Sequence, residues 1–193
     1  MRHAGFVLTG GISSRMGRDK ALLPYGGRKL VDYIASQVLE AAGSASLIGS
    51  PVLYGHFGYP VYPDEIPQCG PLGGIYTALR LRRAEWNLIV ACDLPNVRAA
   101  DLRRILEASA SAGDRADCVI PLAADGGWQP LCAAYHSRCA PEVECALGRE
   151  RFKMMDLLAK LKVVRCSGLR PELFVNVNTP TDWEKIEEWQ TSQ

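Results

Sequence analysis

The chain has 193 residues, 48% hydrophobic and 22% charged, with a net charge of +1 at pH 7. This composition excludes a disordered chain and supplies enough apolar side chains for a full core, so one domain spanning residues 1–193 is expected. Near-zero charge excludes a global field for nucleic acid or an anionic membrane, and neither is expected as a partner. Any anion site must therefore be local.

The run Ala4-Gly5-Phe6-Val7-Leu8 reads as a buried strand ended by Gly10-Gly11, and it is too short for a leader's apolar region or a spanning helix. Leu30, Val31, Ile34, Val38 and Ala41 recur at helical spacing, and Gly43 offers a stop. Ala45 to Ile48 reads as a weaker strand, and Tyr59 to Tyr62 as a short extended piece bounded by prolines. After Gly73-Gly74, the spacing of Ile75, Ala78 and Leu79 predicts a helix, with Arg80, Arg82 and Arg83 on a solvated side. Asn87 to Cys92 is the clearest central strand. Leu102, Ile105 and Leu106 mark the next helix, followed by strands at Cys118–Ile120 and Leu131–Tyr135. Helices are predicted over Pro141–Leu147 and Phe152–Ala159. A last one starts at Thr179 as N-cap, with Pro180 first in the helix and Asp182 three residues after the cap. Strands alternating with helices predict an α/β fold with a mainly parallel sheet.

The seven cysteines are scattered, without a C-x-x-C pair, which argues against structural zinc and suits a reducing compartment. The cytoplasm is the expected location. Cys92 and Cys118, inside apolar runs, read as small buried hydrophobes.

The segment from Leu8 to Lys20, LTGGISSRMGRDK, places glycines, hydroxyls and two cations between a strand and a helix. Gly10 and Gly11 allow close approach of backbone N–H groups to a phosphate, Ser13 and Ser14 add donors, and Arg15 and Lys20 add charge. A βα turn with incidental glycines is the bland alternative. The segment is neither a Walker A loop nor G-x-G-x-x-G. Asp93 follows the strongest strand, where an open parallel sheet binds its ligands, and suits a magnesium ion shared with phosphate oxygens; capping of the next turn is the alternative. Asp64 lies in a Pro/Gly-rich loop, where an exposed turn residue is the plain reading. Asn176 and Asn178 alternate with apolar residues and would share one side of an extended piece, as ligand contacts or as turn formers before the last helix.

L-T-G-G-x-S-x-R-M-G-x-D-K resembles the signature of the molybdenum cofactor guanylyltransferases, as do Cys92-Asp93-Leu94-Pro95, Gly70-Pro71-Leu72-Gly73-Gly74-Ile75 and Phe174-Val175-Asn176-Val177-Asn178-Thr179-Pro180. The resemblance implies a Rossmann-like three-layer sandwich of the nucleotide-diphospho-sugar-transferase type. It implies transfer of GMP from GTP to the terminal phosphate of molybdopterin, with Mg²⁺ as cofactor and release of pyrophosphate. Leu8, Thr9 and Gly10 would line the nucleotide, Arg15 would meet phosphates, Lys20 would bind the triphosphate, and Asp93 would hold the metal. Asp64, Gly70 and Pro71 would belong to the nucleotide pocket. Gln129, in a Gln129-Pro130-Leu131 segment that also matches, would lie near the acceptor with Asn176 and Asn178. Molybdoenzymes or their chaperones are the candidate recipients of the product.

His136 has no carboxylate near it in sequence and reads as a packing or surface residue. Arg149, Arg151 and Lys153 read as a solvated face, with an acceptor phosphate as the sharper alternative. Two positions depart from the family pattern. Thr9 stands where alanine is common, and Ser46-Leu47-Ile48-Gly49-Ser50-Pro51 has no amide where members often carry an asparagine that reads guanine. Backbone groups around Gly49 would then read the base. A cytidylyltransferase on the same pterin, a relative with another phosphorylated acceptor, and a non-catalytic nucleotide-binding module are the rival readings.

Overall fold

The computed structural model describes residues 3–9, 19–179, 181–184 and 186. The strands are β1 (His3–Leu8), β2 (Pro24–Tyr25), β3 (Arg28–Lys29), β4 (Ser46–Ile48), β5 (Val61–Tyr62), β6 (Trp86–Ala91), β7 (Cys118–Pro121), β8 (Cys132–His136) and β9 (Val163–Cys166). The α-helices are α1 (Leu30–Ala42), α2 (Pro51–Tyr54), α3 (Pro71–Arg80), α4 (Ala99–Ala112), α5 (Ala140–Gly148) and α6 (Met154–Leu158). Residues 181–184 are also helical, entered through a reciprocal cap in which Thr179 Oγ1 accepts from Asp182 N and Asp182 Oδ2 accepts from Thr179 N.

Seven strands form one sheet in the order β5-β4-β1-β6-β8-β7-β9, with β2 and β3 a separate antiparallel pair. β1 is parallel to β4 and β6, β4 to β5, and β7 to β9, whereas β8 runs against both its neighbours. The alternation along the strands feeds two cores. Val7, Trp86, Leu88 and Val90 pack with α1 and α4, while Phe6, Leu8 and Ile89 pack on the other face with α3, α5 and α6. This is a three-layer α/β sandwich, as the alternation of strand and helix patterns requires.

The helix stop at Gly43 is a left-handed cap with φ of 74°. α3 begins earlier than its apolar spacing suggests and contains Gly73 and Gly74, because both lie under close neighbours. A Cβ on Gly73 would fall 2.7 Å from the Ile66 carbonyl oxygen, and one on Gly74 would fall 3.0 Å from Leu8 Cδ2. The β2–β3 pair and the edge strand β9 carry no clear sequence signal, and the four-residue α2 is marked only by Ser50-Pro51 at its start. From β1 the chain winds outward to β4 and β5, then returns to place β6 on the other side of β1. That reversal opens a crevice outside the carboxyl ends of β4, β1 and β6, where ligands of such sheets bind.

Candidate functional site

The crevice begins at the ends of β1 and β4. Thr9, 2% exposed, donates from Oγ1 to the Ile48 carbonyl at 2.8 Å, and its N–H reaches the same oxygen at 3.0 Å. Gly49 follows immediately, and a Cβ there would lie 2.1 Å from Thr9 Oγ1 and 3.1 Å from Tyr54 Cε2. The threonine hydroxyl thus occupies the space a side chain at position 49 would need. Gly49 N–H donates to the Tyr62 carbonyl at 2.8 Å, so backbone reading at this position falls to its carbonyl.

Lys20 opens a short 3-10 turn, Lys20–Leu22, capped by Asp19, whose Oδ1 accepts from Ala21 N at 3.0 Å. Lys20 Nζ donates to Asn178 Oδ1 at 2.8 Å across 158 residues of chain. Asp93 sits just beyond β6. Burial raises its carboxyl above the usual range, opposed by the Lys20 charge and by its own backbone N–H. Its carbonyl accepts from Val177 N at 3.0 Å, so the strand-like segment bearing Asn176 and Asn178 is fastened directly to Asp93. Val177 is buried while Asn176 and Asn178 are exposed, the alternation expected of an extended piece. Cys92, only half-buried by exposed area, has its thiol pushed up to about 12 by burial and by Asp93, which makes it a neutral neighbour. Cys118 is fully buried.

Asp64 follows β5. Its Oδ1 is buried without a partner among the described residues and lies 3.6 Å from where a Gly74 Cβ would stand, beside Leu8. Burial alone raises its carboxyl. Gly70 caps α3 at φ 60°, a conformation that favours glycine, and Pro71 takes the first helical position; both are exposed. Gln129 precedes β8 on the same edge, held by its N–H to the Pro121 carbonyl at 3.0 Å. His136 is elsewhere. It pairs with Trp86 at the start of β6, on the opposite edge, where its ring meets the indole edge-on and Nδ1 accepts from Arg138 N. Arg149, Arg151 and Lys153 are exposed between α5 and α6. Gly10, Gly11 and Arg15 lie outside the described residues.

Two contributors escaped the sequence reading. Tyr54, 3% exposed, donates to Asp19 Oδ2 at 2.5 Å; Ser50 ahead of Pro51, a helix-start pair, was the signal for its helix. Arg170 grips buried Asp101 at 2.6 Å and the Asn96 carbonyl at 3.0 Å, which anchors the segment leading to Asn176. No local pattern announces that pair.

A mainly parallel three-layer sheet with a lysine, an aspartate and an amide gathered at its switch point defines a nucleotide-handling α/β protein. Residues 5–164 match the family model of the MobA-like NTP transferase domain, and the chain belongs to that family. A relative from Carboxydothermus hydrogenoformans named "probable molybdenum cofactor guanylyltransferase" is 37% identical, covering 93% of this chain and 92% of its own length. One from Bacillus subtilis bearing the same name is 34% identical, covering 100% and 98%. In fold, the chain is similar to molybdopterin-guanine dinucleotide biosynthesis protein A from Archaeoglobus fulgidus, with a TM-score of 0.84 at 24% identity over 98% of this chain and 100% of that one. A 2-C-methyl-D-erythritol 4-phosphate cytidylyltransferase from Thermus thermophilus shares the fold at a TM-score of 0.71 and 14% identity, over 96% and 98% of the chains. Among the described residues no helix is long and apolar enough to cross a membrane.

Proposed function

We propose that the chain transfers GMP from GTP to the terminal phosphate of molybdopterin, in the cytoplasm and with Mg²⁺. The observation that carries this reading is the bridge from Lys20 to Asn178 beside Asp93, which brings one cation, one carboxylate and one amide to the same point of the crevice. An acceptor phosphate oxygen attacks the α-phosphorus, the new O–P bond forms in line, and the bond to the β-phosphate breaks to release pyrophosphate. The nucleophile is already an anion at neutral pH, so no general base is needed. Lys20 neutralises charge on the phosphates, and the amides of Asn176 and Asn178 orient the acceptor, with Gln129 nearby.

Asp93 fits a magnesium ion, because a half-buried carboxylate with a raised affinity for protons gains from a hard cation that also binds phosphate oxygens. The ion would supply charge neutralisation at the phosphates.

Guanine rests on the family membership, with the Gly49 carbonyl as the backbone group left free to meet the base and Asp64 in the pocket behind Leu8. In this reading Leu8, Thr9, Gly49, Gly70 and Pro71 would wall the nucleotide, and the sequence motif assigns Gly10, Gly11 and Arg15 to the phosphates. The test is pyrophosphate release with molybdopterin, Mg²⁺ and each of the four triphosphates. GTP is expected to be preferred, and Lys20→Ala and Asp93→Asn are each expected to lose roughly 100-fold or more in turnover. Wild-type turnover in either variant, or preference for CTP, would overturn the assignment.

A further inference from the structure

We propose that Asp19 is a positioning residue that aims Lys20 at the phosphates, and that the Tyr54 hydroxyl ties this aim to the wall at Gly49. The inference rests on the reading of Lys20 as a phosphate ligand. Asp19 uses both carboxylate oxygens. Oδ1 caps the turn that begins with Lys20, through Ala21 N at 3.0 Å, and Oδ2 accepts from Tyr54 at 2.5 Å. The turn is closed again by Leu22 N to the Asp19 carbonyl and Leu23 N to the Lys20 carbonyl, both at 3.1 Å, and Ala21 is fully buried. The backbone of Lys20 therefore has no freedom independent of Asp19.

Tyr54 supplies the other half. It has one proton and two acceptors in reach, Asp19 Oδ2 at 2.5 Å and the Thr9 carbonyl at 3.1 Å, so the carboxylate holds the stronger bond. Its ring borders Gly49, and its helix starts from the Ser50 cap, so it is part of the wall beyond β4. Burial and the Asp19 charge both raise the phenol, which keeps it a donor. Displacing this wall displaces Asp19 and, through the capped turn, Lys20.

Inorganic tripolyphosphate with Mg²⁺ tests the chain of action, because it has no base to touch the wall. Its affinity is measured calorimetrically for the wild type, Lys20→Ala, Tyr54→Phe, Asp19→Ala and Lys20→Ala/Tyr54→Phe. Tyr54→Phe and Asp19→Ala are each expected to bind about tenfold more weakly, from one lost charge-assisted hydrogen bond, and the double variant no more weakly than Lys20→Ala. Wild-type affinity in both single variants, or full additivity in the double, overturns the positioning role. Wild-type affinity in Lys20→Ala overturns the underlying reading of Lys20 instead. If Tyr54→Phe does not fold, Asp19→Ala, at a half-exposed position, decides the question.

Discussion

Gly49→Ala is expected to destabilise the chain, and Thr9→Ala to relieve the part that comes from the clash with Oγ1, while the strain of a side chain at a φ of 159° and the contact with Tyr54 stay. The added Cβ would meet Thr9 Oγ1 at 2.1 Å, a distance no packing adjustment of tenths of an ångström absorbs, and Tyr54 Cε2 at 3.1 Å. Overpacking of this kind costs about 1–3 kcal/mol. Thr9→Ala alone loses a buried hydrogen bond, but the Ile48 carbonyl keeps the Thr9 backbone N–H at 3.0 Å, so the loss is about 1 kcal/mol. In the double variant the clash with Oγ1 is gone and the nearest atom of residue 9 is its own Cβ at 3.4 Å, an ordinary contact. The coupling energy in a double-mutant cycle should then be about 1–2 kcal/mol in favour of the pair, read as urea midpoints or as roughly 2–4 °C in Tm per kcal/mol. Additive effects within about 0.5 kcal/mol would refute the idea that Thr9 fills the place of a side chain at position 49.

Asp64→Asn should stabilise the protein at neutral pH. Burial raises the Asp64 carboxyl, so the folded chain binds a proton where the unfolded chain does not, and stability falls as pH rises through that window and stays lower above it. The variant's advantage, about 1 kcal/mol for an unpartnered buried acceptor, should shrink as urea midpoints are followed from pH 7 down toward 4; a constant gap would contradict the argument. Arg170→Met leaves Asp101, with 6% of its side chain exposed, without its guanidinium and should cost about 3 kcal/mol, the lower end for a pair whose arginine is partly solvated. Acceptor KM should rise while GTP KM holds, because the segment bearing Asn176 and Asn178 loses its anchor; equal changes in both constants would sink the anchoring role.

The sequence made the skeleton of the crevice legible because its signals are local. Leu30, Val31, Ile34 and Val38 are all fully buried on α1, and Gly43 ends that helix in the left-handed conformation that its type favours. Asp93 could be placed on the ligand-binding edge because a strand of six buried residues, Trp86 to Ala91, leads to it. β9 was not legible, since Val163-Val164-Arg165-Cys166 is a half-buried edge strand whose pairing with β7 is decided by the tertiary fold. Gly73 and Gly74 misled by type. Glycine is the weakest helix former short of proline, yet here it lies inside α3 because Ile66 and Leu8 leave no room for a Cβ. Tyr54 was missed because a tyrosine in a four-residue helix announces nothing until its hydroxyl is seen on Asp19.

What sequence spacing could not convey is how the halves of the crevice are joined. Lys20 and Asn178 meet across 158 residues, and Asp93 accepts a backbone bond from Val177. Asp93 is therefore a neighbour of Lys20 through charge and of the amide-bearing segment through its carbonyl, using different atoms for each. A change confined to its carboxylate, Asp93→Asn, leaves the carbonyl in place, so the Val177 bond should survive. The variant should consequently lose turnover while keeping the acceptor segment docked, with acceptor affinity near that of the wild type. Arg170→Met should do the reverse, loosening the acceptor with the carboxylate intact. Opposite effects from two residues on one edge of one sheet would mark a crevice in which the proposed metal side and the proposed acceptor side share a backbone but not their side chains.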